Sequence, residues 1–423
     1  MFTNEKNNNH PVQKKKEGII IIPKWQEKET VGKPTANVNC SSQNSFLKIF
    51  KGIFSLFRLI GIEVISHSKT TERENYESLK RNHSKSLKQR LIFFIQNGCK
   101  YFVYVAMCTK ILVRVIMIIY EDITKCLTHI FIALLTVLFY TSVYRRRHAM
   151  SKMTDSLSQS LSKVIGYPPM VKTYAFIACF MGMQTLMIIW NTLRYLSDSY
   201  IGAIQIIVSD SSNFTLHYCN LFLGIILTLA SMIPCIVFPL FSLYYILTCN
   251  FIRVLLQHVL ERMDGDFASE DMDSLFIEYG DIARNMRSLD ENFSMPIFLT
   301  IVFTMAGLFG GGYRIAFHDG KSKNNFFSLI IPLLFYLSVQ LLIMVLASIT
   351  NELENKVKCI ILCLPCRNFS EDPKRIFKFK KDLNQDNCLT LWKVYVMDRS
   401  LVITSIGTLL TYGILIGTLG KNC

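Results

Sequence analysis

Seven long apolar stretches divide the chain, and they constrain its fold more than any other feature. They run over about 99–120, 126–144, 174–196, 218–247, 295–317, 327–349 and 400–419. Each is close to the roughly 20 residues that a helix needs to cross a hydrocarbon layer of about 30 Å. Because every backbone polar group inside that layer must be paired internally, the stretches are predicted to be helices. The sequence therefore predicts an all-α polytopic membrane protein with seven transmembrane helices.

Basic residues lie mainly on one side of these stretches. The segments 1–96, 145–172, 250–294 and 350–398 together hold 36 of the 46 lysines and arginines. The loops at the opposite ends of the apolar stretches hold very few. Loops rich in lysine and arginine remain in the cytosol, so we expect a cytosolic N-terminus and, after seven spans, an extracellular C-terminus. The net charge of +15 is accordingly attributed to topology rather than to nucleic-acid binding.

The first 95 residues are predicted to be a cytosolic N-terminal region. Within it, the segment 46–65 places Phe46, Phe50 and Phe57 at helical spacing on one face. Such a segment is expected to lie along the membrane surface as an amphipathic helix. The alternative is an additional span.

The remaining chain is predicted to fall into three regions. Residues 96–349 hold spans 1 to 6, a ligand pocket and the cytosolic linker 250–294. Residues 350–398 form a second cytosolic linker or anchor, and residues 399–423 form the last span with a short extracellular tail.

No motif for a catalytic nucleophile, a metal or a phosphate-binding loop is recognised in the sequence, so no enzymatic activity, cofactor or metal site is predicted. Asn213, in Asn213-Phe214-Thr215, is the one glycosylation candidate that faces outward in this topology.

Aromatic and polar residues concentrate in the outer halves of the middle spans, as a pocket for a small molecule requires. The alternative is an interfacial aromatic belt with ordinary packing. The candidate ligand-binding residues are Trp190, Tyr195, Tyr218, Phe222, Phe309, Tyr313 and Gln340.

The last span carries the most specific motif. Asp398-Arg399-Ser400-Leu401 precedes it, and Thr411-Tyr412 is followed by five mostly apolar residues and then by Thr418-Leu419. This pattern resembles the final span of insect gustatory receptors, in which Thr-Tyr, five apolar residues and Gln-Phe follow a similar segment. Thr418 and Leu419 stand here at the Gln and Phe positions, and in the family the Gln is associated with the narrow part of the pore.

The resemblance implies a tetrameric, ligand-gated, non-selective cation channel in the plasma membrane of chemosensory neurons. It implies a small-molecule tastant as ligand, and a homo- or hetero-oligomer with other gustatory receptor subunits. Sugar-sensing members tend to have Glu soon after Thr-Tyr, where Gly413 stands here, so bitter or plant compounds are favoured over sugars.

Span 7 of each subunit would line the pore. The helical stripe expected to face the pore is Tyr412, Leu415, Thr418 and Leu419, although packing against spans 5 and 6 is an alternative for some of them.

Three other functions are compatible with seven spans. An odorant receptor-like channel shares the same plan. A metabotropic seven-span receptor has the opposite topology. A secondary transporter would have repeated half-folds with broken helices, which the sequence does not display.

Overall fold

The structure is a computed structural model of the full chain. It describes residues 37–64, 83–117, 123–162, 170–197, 214–263, 269–316, 323–363, 383, 385 and 387–420. Residues 1–36, Asn213 and most of the predicted outer loops lie outside the described residues.

The described chain is almost entirely helical. The helices are α1 (Asn37–Leu59), α2 (His83–Met117), α3 (Ile123–Arg145), α4 (Arg147–Leu161), α5 (Met170–Ser197), α6 (Phe214–Met263), α7 (Ser269–Ala316), α8 (Lys323–Cys363) and α9 (Arg399–Gly420). Two short strands, β1 (Thr390–Leu391) and β2 (Tyr395–Val396), form an antiparallel hairpin immediately before α9.

The seven predicted spans coincide with α2, α3, α5, α6, α7, α8 and α9, which confirms the predicted fold class. By length and composition alone, four described helical stretches can cross a membrane: Lys172–Ile189, Leu223–Met263, Ser274–Tyr313 and Ile330–Cys363. Two shorter apolar stretches, His129–Arg145 and Arg399–Leu415, belong to α3 and α9.

Helices α6, α7 and α8 are much longer than a bilayer requires, at 50, 48 and 41 residues. Their extra turns occupy most of the predicted linker 250–294 and the beginning of the region 350–398. In the predicted topology these turns extend into the cytosol. The region boundaries at 95, 349 and 398 stay predictions.

The centre of the buried core is α6, which contacts α1 to α5, α7 and α8. Pro234 and Pro239 lie within it without ending the helix. Each proline lacks a backbone N–H, so the carbonyl four residues earlier in the helix does not receive its usual hydrogen bond. Elsewhere in α6, the hydroxyls of Ser231 and Ser242 donate to backbone carbonyls of the same helix, as is common in apolar helices.

The apolar face of α1 packs on the protein. Phe46 meets Phe251 of α6 edge to face at 4.7 Å between ring centroids, and Phe50 meets Tyr244 of α6 at 5.6 Å. The hydroxyl of Tyr140 on α3 also donates to the carbonyl of Ile60, just after α1, at 3.1 Å. How α1 lies relative to the membrane surface stays a prediction.

The sequence analysis did not predict helix α4, which lies in the basic segment 145–172. The residues Met150, Met153, Leu157 and Leu161 are buried and share one face. The hydroxyl of Tyr244 on α6 donates to the carbonyl of Met150 at 3.1 Å. Helices α1 and α4 therefore form one packed end of the molecule with the extended part of α6.

Candidate functional site

Helix α9 lies at the edge of the helical bundle and contacts α7 and α8. Leu401 packs on the buried core, and Ser405 and Thr408 are half-buried. The opposite side of the helix, including Ile403, Leu410 and a wide apolar surface around them, is exposed. A single chain therefore leaves most of its last span uncovered.

The four residues of the predicted pore stripe are placed differently from one another. Tyr412 is 48% exposed and Leu415 is 50% exposed, and Thr418 is also exposed. The ring of Tyr412 meets the ring of Phe309 on α7 edge to face, with 5.2 Å between centroids. Tyr412 therefore lies where α9 borders the bundle. The side chain of Leu419 is outside the described residues.

A series of threonines runs along the exposed side of α9. Thr404, Thr411 and Thr418 are exposed and follow one another at intervals of seven residues, which keeps them on one side of the helix. The hydroxyls of Thr411 and Thr418 donate to carbonyl oxygens of their own helix, of Gly407 and Leu415, both at 2.9 Å. The oxygen of each hydroxyl can still accept a hydrogen bond or contact a cation. The spacing of seven was available in the sequence, but the sequence analysis did not use it.

The predicted ligand-binding residues lie on four helices. Trp190 and Tyr195 belong to α5, Tyr218 and Phe222 to α6, Phe309 and Tyr313 to α7, and Gln340 to α8. The side chains of the first four are outside the described residues. Tyr313 is 58% exposed, and Phe309 contacts Tyr412. Their role in ligand binding stays a prediction.

Gln340 joins the bundle to the last span. Its side chain is 1% exposed, and its amide nitrogen donates to the hydroxyl of Ser405 on α9 at 2.8 Å. The same nitrogen lies 3.4 Å from the sulfur of Met305 on α7. Hydrogen bonds to buried amides are costly to leave unmade. Gln340 is therefore placed to fix α9 against α7 and α8.

An aromatic cluster lies one helical turn from Gln340. Tyr336 of α8 contacts Phe238 of α6 and Phe303 of α7, with ring centroids 6.2 Å and 6.1 Å apart. Phe238 and Phe303 are themselves 5.1 Å apart. The cluster connects α6, α7 and α8, and the sequence analysis did not identify it.

The close approach of α7 to α8 occurs at Gly307. A β-carbon placed on Gly307 would lie 2.7 Å from the ring of Tyr336, which is far inside van der Waals contact. At Gly310 and Gly312 a β-carbon would meet nothing within 4 Å.

The hairpin before α9 is clamped to α7 and α8 by buried polar groups. The amide nitrogen of Asn351 on α8 donates to the carbonyls of Leu389 at 3.0 Å and Met397 at 2.8 Å. Its amide oxygen accepts from the backbone nitrogen of Leu389 at 2.8 Å. A carboxylate oxygen of Asp290 on α7 accepts from both the backbone nitrogen and the hydroxyl of Thr390, each at 2.7 Å. Both ends of the hairpin are thereby tied to the long helices.

The turn of the hairpin uses unusual residues. Trp392 and Lys393 have φ values of 50° and 58°, in the left-handed region that favours glycine and asparagine. The ring of Trp392 packs on Phe298 of α7 at 5.1 Å between centroids. Each such residue costs of order 1–3 kcal/mol and persists only where its surroundings hold it. The contacts with α7 supply part of that restraint.

An exposed ion pair joins the start of α9 to α8. The guanidinium of Arg399 forms two hydrogen bonds with the carboxylate of Glu352. Asp398 accepts from the backbone nitrogen of Leu401 at 2.8 Å, so it caps the first turn of α9. The segment Asp398-Arg399-Ser400-Leu401, which carried part of the resemblance, thus has a clear local role at the beginning of the helix.

Neither a protein-family model nor a curated protein matches the sequence. Solved structures do match. The insect olfactory receptor OR5 from Machilis hrabei in complex with eugenol aligns with a TM-score of 0.61 and 13% sequence identity, over 89% of this chain and all of that chain. The same receptor alone aligns with a TM-score of 0.60 and 14% identity, over 89% of this chain and 99% of that chain.

The chain has the fold of insect olfactory receptors. The match extends over most of this chain and over the whole of the receptor chain. It agrees, at the level of the fold, with the resemblance to insect chemoreceptors that the motif of the last span indicates.

Proposed function

We propose that the chain is a subunit of a ligand-gated, non-selective cation channel, and that four copies place their α9 helices around one pore. The observation that carries this proposal is the position of α9. It is an apolar helix at the edge of the bundle whose exposed side bears a regular series of threonine hydroxyls. An exposed side of this kind suits a water-filled path between subunits, where oxygen atoms can replace part of the water around a cation.

Opening is a shift between two arrangements of α9. A small molecule bound among the outer halves of α5, α6, α7 and α8 favours the arrangement to which it binds more tightly. The aromatic cluster around Tyr336 and the hydrogen bond from Gln340 to Ser405 provide a continuous contact from α6, α7 and α8 to α9. In the open arrangement α9 moves outward from the pore axis and shifts along α8, so that the hydrogen bond of Gln340 with Ser405 is lost. No catalytic step or cofactor enters this mechanism.

The proposed ligand is a small tastant, and a bitter or plant compound is favoured over a sugar. The motif at Thr411 and Tyr412 supports the gustatory assignment, and Gly413 disfavours sugars by the family pattern. The aromatic candidates Trp190, Tyr195, Tyr218, Phe222 and Phe309 suit an apolar or aromatic molecule.

The second candidate is an odorant receptor-like channel. It is favoured by the fold match to an olfactory receptor, one structure of which is a complex with eugenol. Both candidates share the channel mechanism, and only the ligand distinguishes them.

The proposed topology can be tested separately from activity. An epitope tag fused after Cys423 is expected to be stained by antibody on intact cells, because the C-terminus is proposed to be extracellular. Staining only after permeabilisation would contradict the topology and would favour a metabotropic seven-span receptor.

The function is tested by expressing the chain alone, and together with other gustatory receptor subunits, and recording whole-cell current during a screen of tastants and odorants. The proposal predicts a ligand-evoked cation current that persists when G-protein signalling is blocked. A response that disappears under that block would contradict it.

A further inference from the structure

Two cationic groups converge on one tyrosine where α2, α3 and α4 meet. The ammonium nitrogen of Lys100 on α2 lies 4.4 Å from the ring centroid of Tyr144 on α3. The guanidinium carbon of Arg147 on α4 lies 4.2 Å from the same centroid. A tyrosine ring attracts a cation at this distance. The backbone carbonyl of Tyr144 also accepts from Arg147 at 3.1 Å, which holds Arg147 in place.

Further positive charge surrounds this pair. Arg145 and Arg146 are the neighbours of Tyr144 and Arg147 in the sequence, and Arg145 is exposed. Arg146 donates to the hydroxyl of Ser142 at 3.0 Å. Burial, and secondarily the charge of Arg145, lower the pKa of Arg146 from its ordinary value. Among the residues that the structure describes, no carboxylate forms an ion pair with Lys100, Arg145, Arg146 or Arg147. Grouped like charges repel one another unless an anion joins them.

The cationic cluster borders an apolar surface that faces away from the protein. Tyr104 of α2 shares a hydrogen bond of 3.2 Å with Thr141 of α3, so the two antiparallel helices are in register at this end. Each helix exposes large apolar side chains along one stripe. These are Tyr101, Val105 and Leu112 on α2, and Leu127, Phe131, Leu134 and Leu138 on α3. In a membrane these two stripes are available for contact with lipid acyl chains.

We propose that Lys100, Tyr144 and Arg147 form a site for an anionic phospholipid whose headgroup carries a phosphomonoester. The acyl chains lie along the stripes of α2 and α3. One phosphate group bridges Lys100 and Arg147, and Arg145 contributes additional positive charge. In the proposed topology the site lies in the cytosolic leaflet, where anionic lipids are concentrated.

The two distances to the Tyr144 ring set an upper limit on the separation of the cations, and a single phosphate can span a separation close to that limit. The Lys100 ammonium and the Arg147 guanidinium both lie near the Tyr144 ring. Their separation therefore cannot exceed the sum of their two distances to the ring centroid. A phosphate with charge-assisted hydrogen bonds of about 2.8 Å on two sides bridges about 8 Å between nitrogen atoms. A lipid is favoured over a free phosphate because the apolar stripes end beside the cations, so that headgroup and chains are bound together. The inference depends on the helix packing and not on the proposed gating.

The test uses the purified full-length protein in nanodiscs of phosphatidylcholine containing a small fraction of a phosphatidylinositol phosphate. Bound lipid is counted by native mass spectrometry as that fraction is varied. The double variant Lys100→Gln/Arg147→Gln is expected to bind about 30-fold more weakly, or about 2 kcal/mol, since each cation near the membrane surface is worth about 1 kcal/mol. Each single variant is expected to bind about fivefold more weakly, so the test survives if the double variant does not fold.

The matched control changes a lysine on α4, the helix that carries Arg147. Lys152 is an exposed lysine on α4, and Lys152→Gln removes one positive charge away from the site. This variant should bind the lipid as the parent does. Equal binding by the parent, the single variants and the double variant would overturn the proposal, as would equal losses in Lys100→Gln and Lys152→Gln.

A competition arm separates a lipid from a soluble phosphate. Soluble inositol bisphosphate, which has the same phosphate groups without acyl chains, is added to the loaded nanodiscs. It should displace the lipid only at much higher concentration, because it lacks the apolar contacts with α2 and α3. Displacement at concentrations comparable to those of the lipid would assign the site to a free anion and overturn the lipid proposal.

Discussion

Gln340 donates a hydrogen bond of 2.8 Å from its side-chain amide to the hydroxyl of Ser405, and this bond joins α8 to the last span. Because opening is proposed to shift α9 along α8 and to break this hydrogen bond, the bond stabilises the closed arrangement. Gln340→Leu should therefore lower the ligand concentration for half-maximal current by about 5- to 30-fold, which corresponds to about 1–2 kcal/mol. Basal current should rise at the same time. Concentration–response recordings measure both effects.

A double-mutant cycle tests whether the effect of Gln340→Leu arises from its hydrogen bond to Ser405. Ser405→Ala removes the acceptor, and the double variant Gln340→Leu/Ser405→Ala should differ little from Gln340→Leu alone. If the two single effects add in the double variant, the hydrogen bond does not couple α8 to α9.

Gly307 and Gly310 provide a matched pair on α7. Gly307→Ala places a methyl group 2.7 Å from the ring of Tyr336, which is itself packed on Phe238 and Phe303. Overpacking of this kind costs about 1–3 kcal/mol. Thermal unfolding of the purified protein should show a lower midpoint for Gly307→Ala.

Gly310→Ala is the control, because a β-carbon there meets nothing within 4 Å. It should leave the midpoint unchanged or raise it, since alanine is favoured over glycine by up to about 1 kcal/mol in a helix. A midpoint for Gly307→Ala as high as that for Gly310→Ala would show that α7 and α8 are farther apart than described.

Asn351 and Asn355 form a second matched pair, one turn apart on α8. Asn351→Ala removes three hydrogen bonds to the backbone of Leu389 and Met397 and leaves buried polar groups without partners. The free energy of unfolding should fall by about 2–4 kcal/mol, as measured by denaturation of the purified protein. Asn355 is exposed, and Asn355→Ala should change the free energy of unfolding by less than about 0.5 kcal/mol. Equal effects would mean that Asn351 does not hold the hairpin.

The positions of the long helices could be predicted from the sequence because the membrane imposes a length and a polarity. The last span was predicted over about 400–419, and α9 covers Arg399–Gly420. The second was predicted over about 126–144, and α3 covers Ile123–Arg145. In both spans, charged residues stand at the ends of the apolar stretch and so mark where the helix leaves the membrane.

The hairpin could not be predicted, because its strands have two residues each and its turn contains Trp392-Lys393 instead of Asn-Gly. Only its surroundings explain that conformation. Helix α4 could have been found, since Met150, Met153, Leu157 and Leu161 recur at helical spacing. Its many serines and its low overall hydrophobicity concealed that pattern.

The candidate site was predictable in part. The last-span motif was read directly from the sequence, and Thr418, which the sequence analysis placed in the pore stripe, is exposed in the structure. Its place in the pore stays a prediction. The contact of Gln340 with Ser405 was not, because 65 residues separate them and no local pattern records such a pairing. The sequence analysis placed Gln340 in a ligand pocket, and in the structure its amide nitrogen donates to Ser405 on α9. A residue that couples ligand binding to movement of α9 can have both roles.

Cysteine accessibility along α9 tests the central claim, that this helix lines the ion path, most directly. Thr404→Cys, Thr411→Cys and Thr418→Cys are each expressed, and a positively charged thiol reagent is applied while ligand-evoked current is recorded. Thr408→Cys, which is half-buried, and the unmodified chain with its own thiols are the controls. The account predicts irreversible loss of current in the three exposed variants and little change in the controls. Full current in all three variants, with labelling of the thiols verified by mass spectrometry, would contradict it.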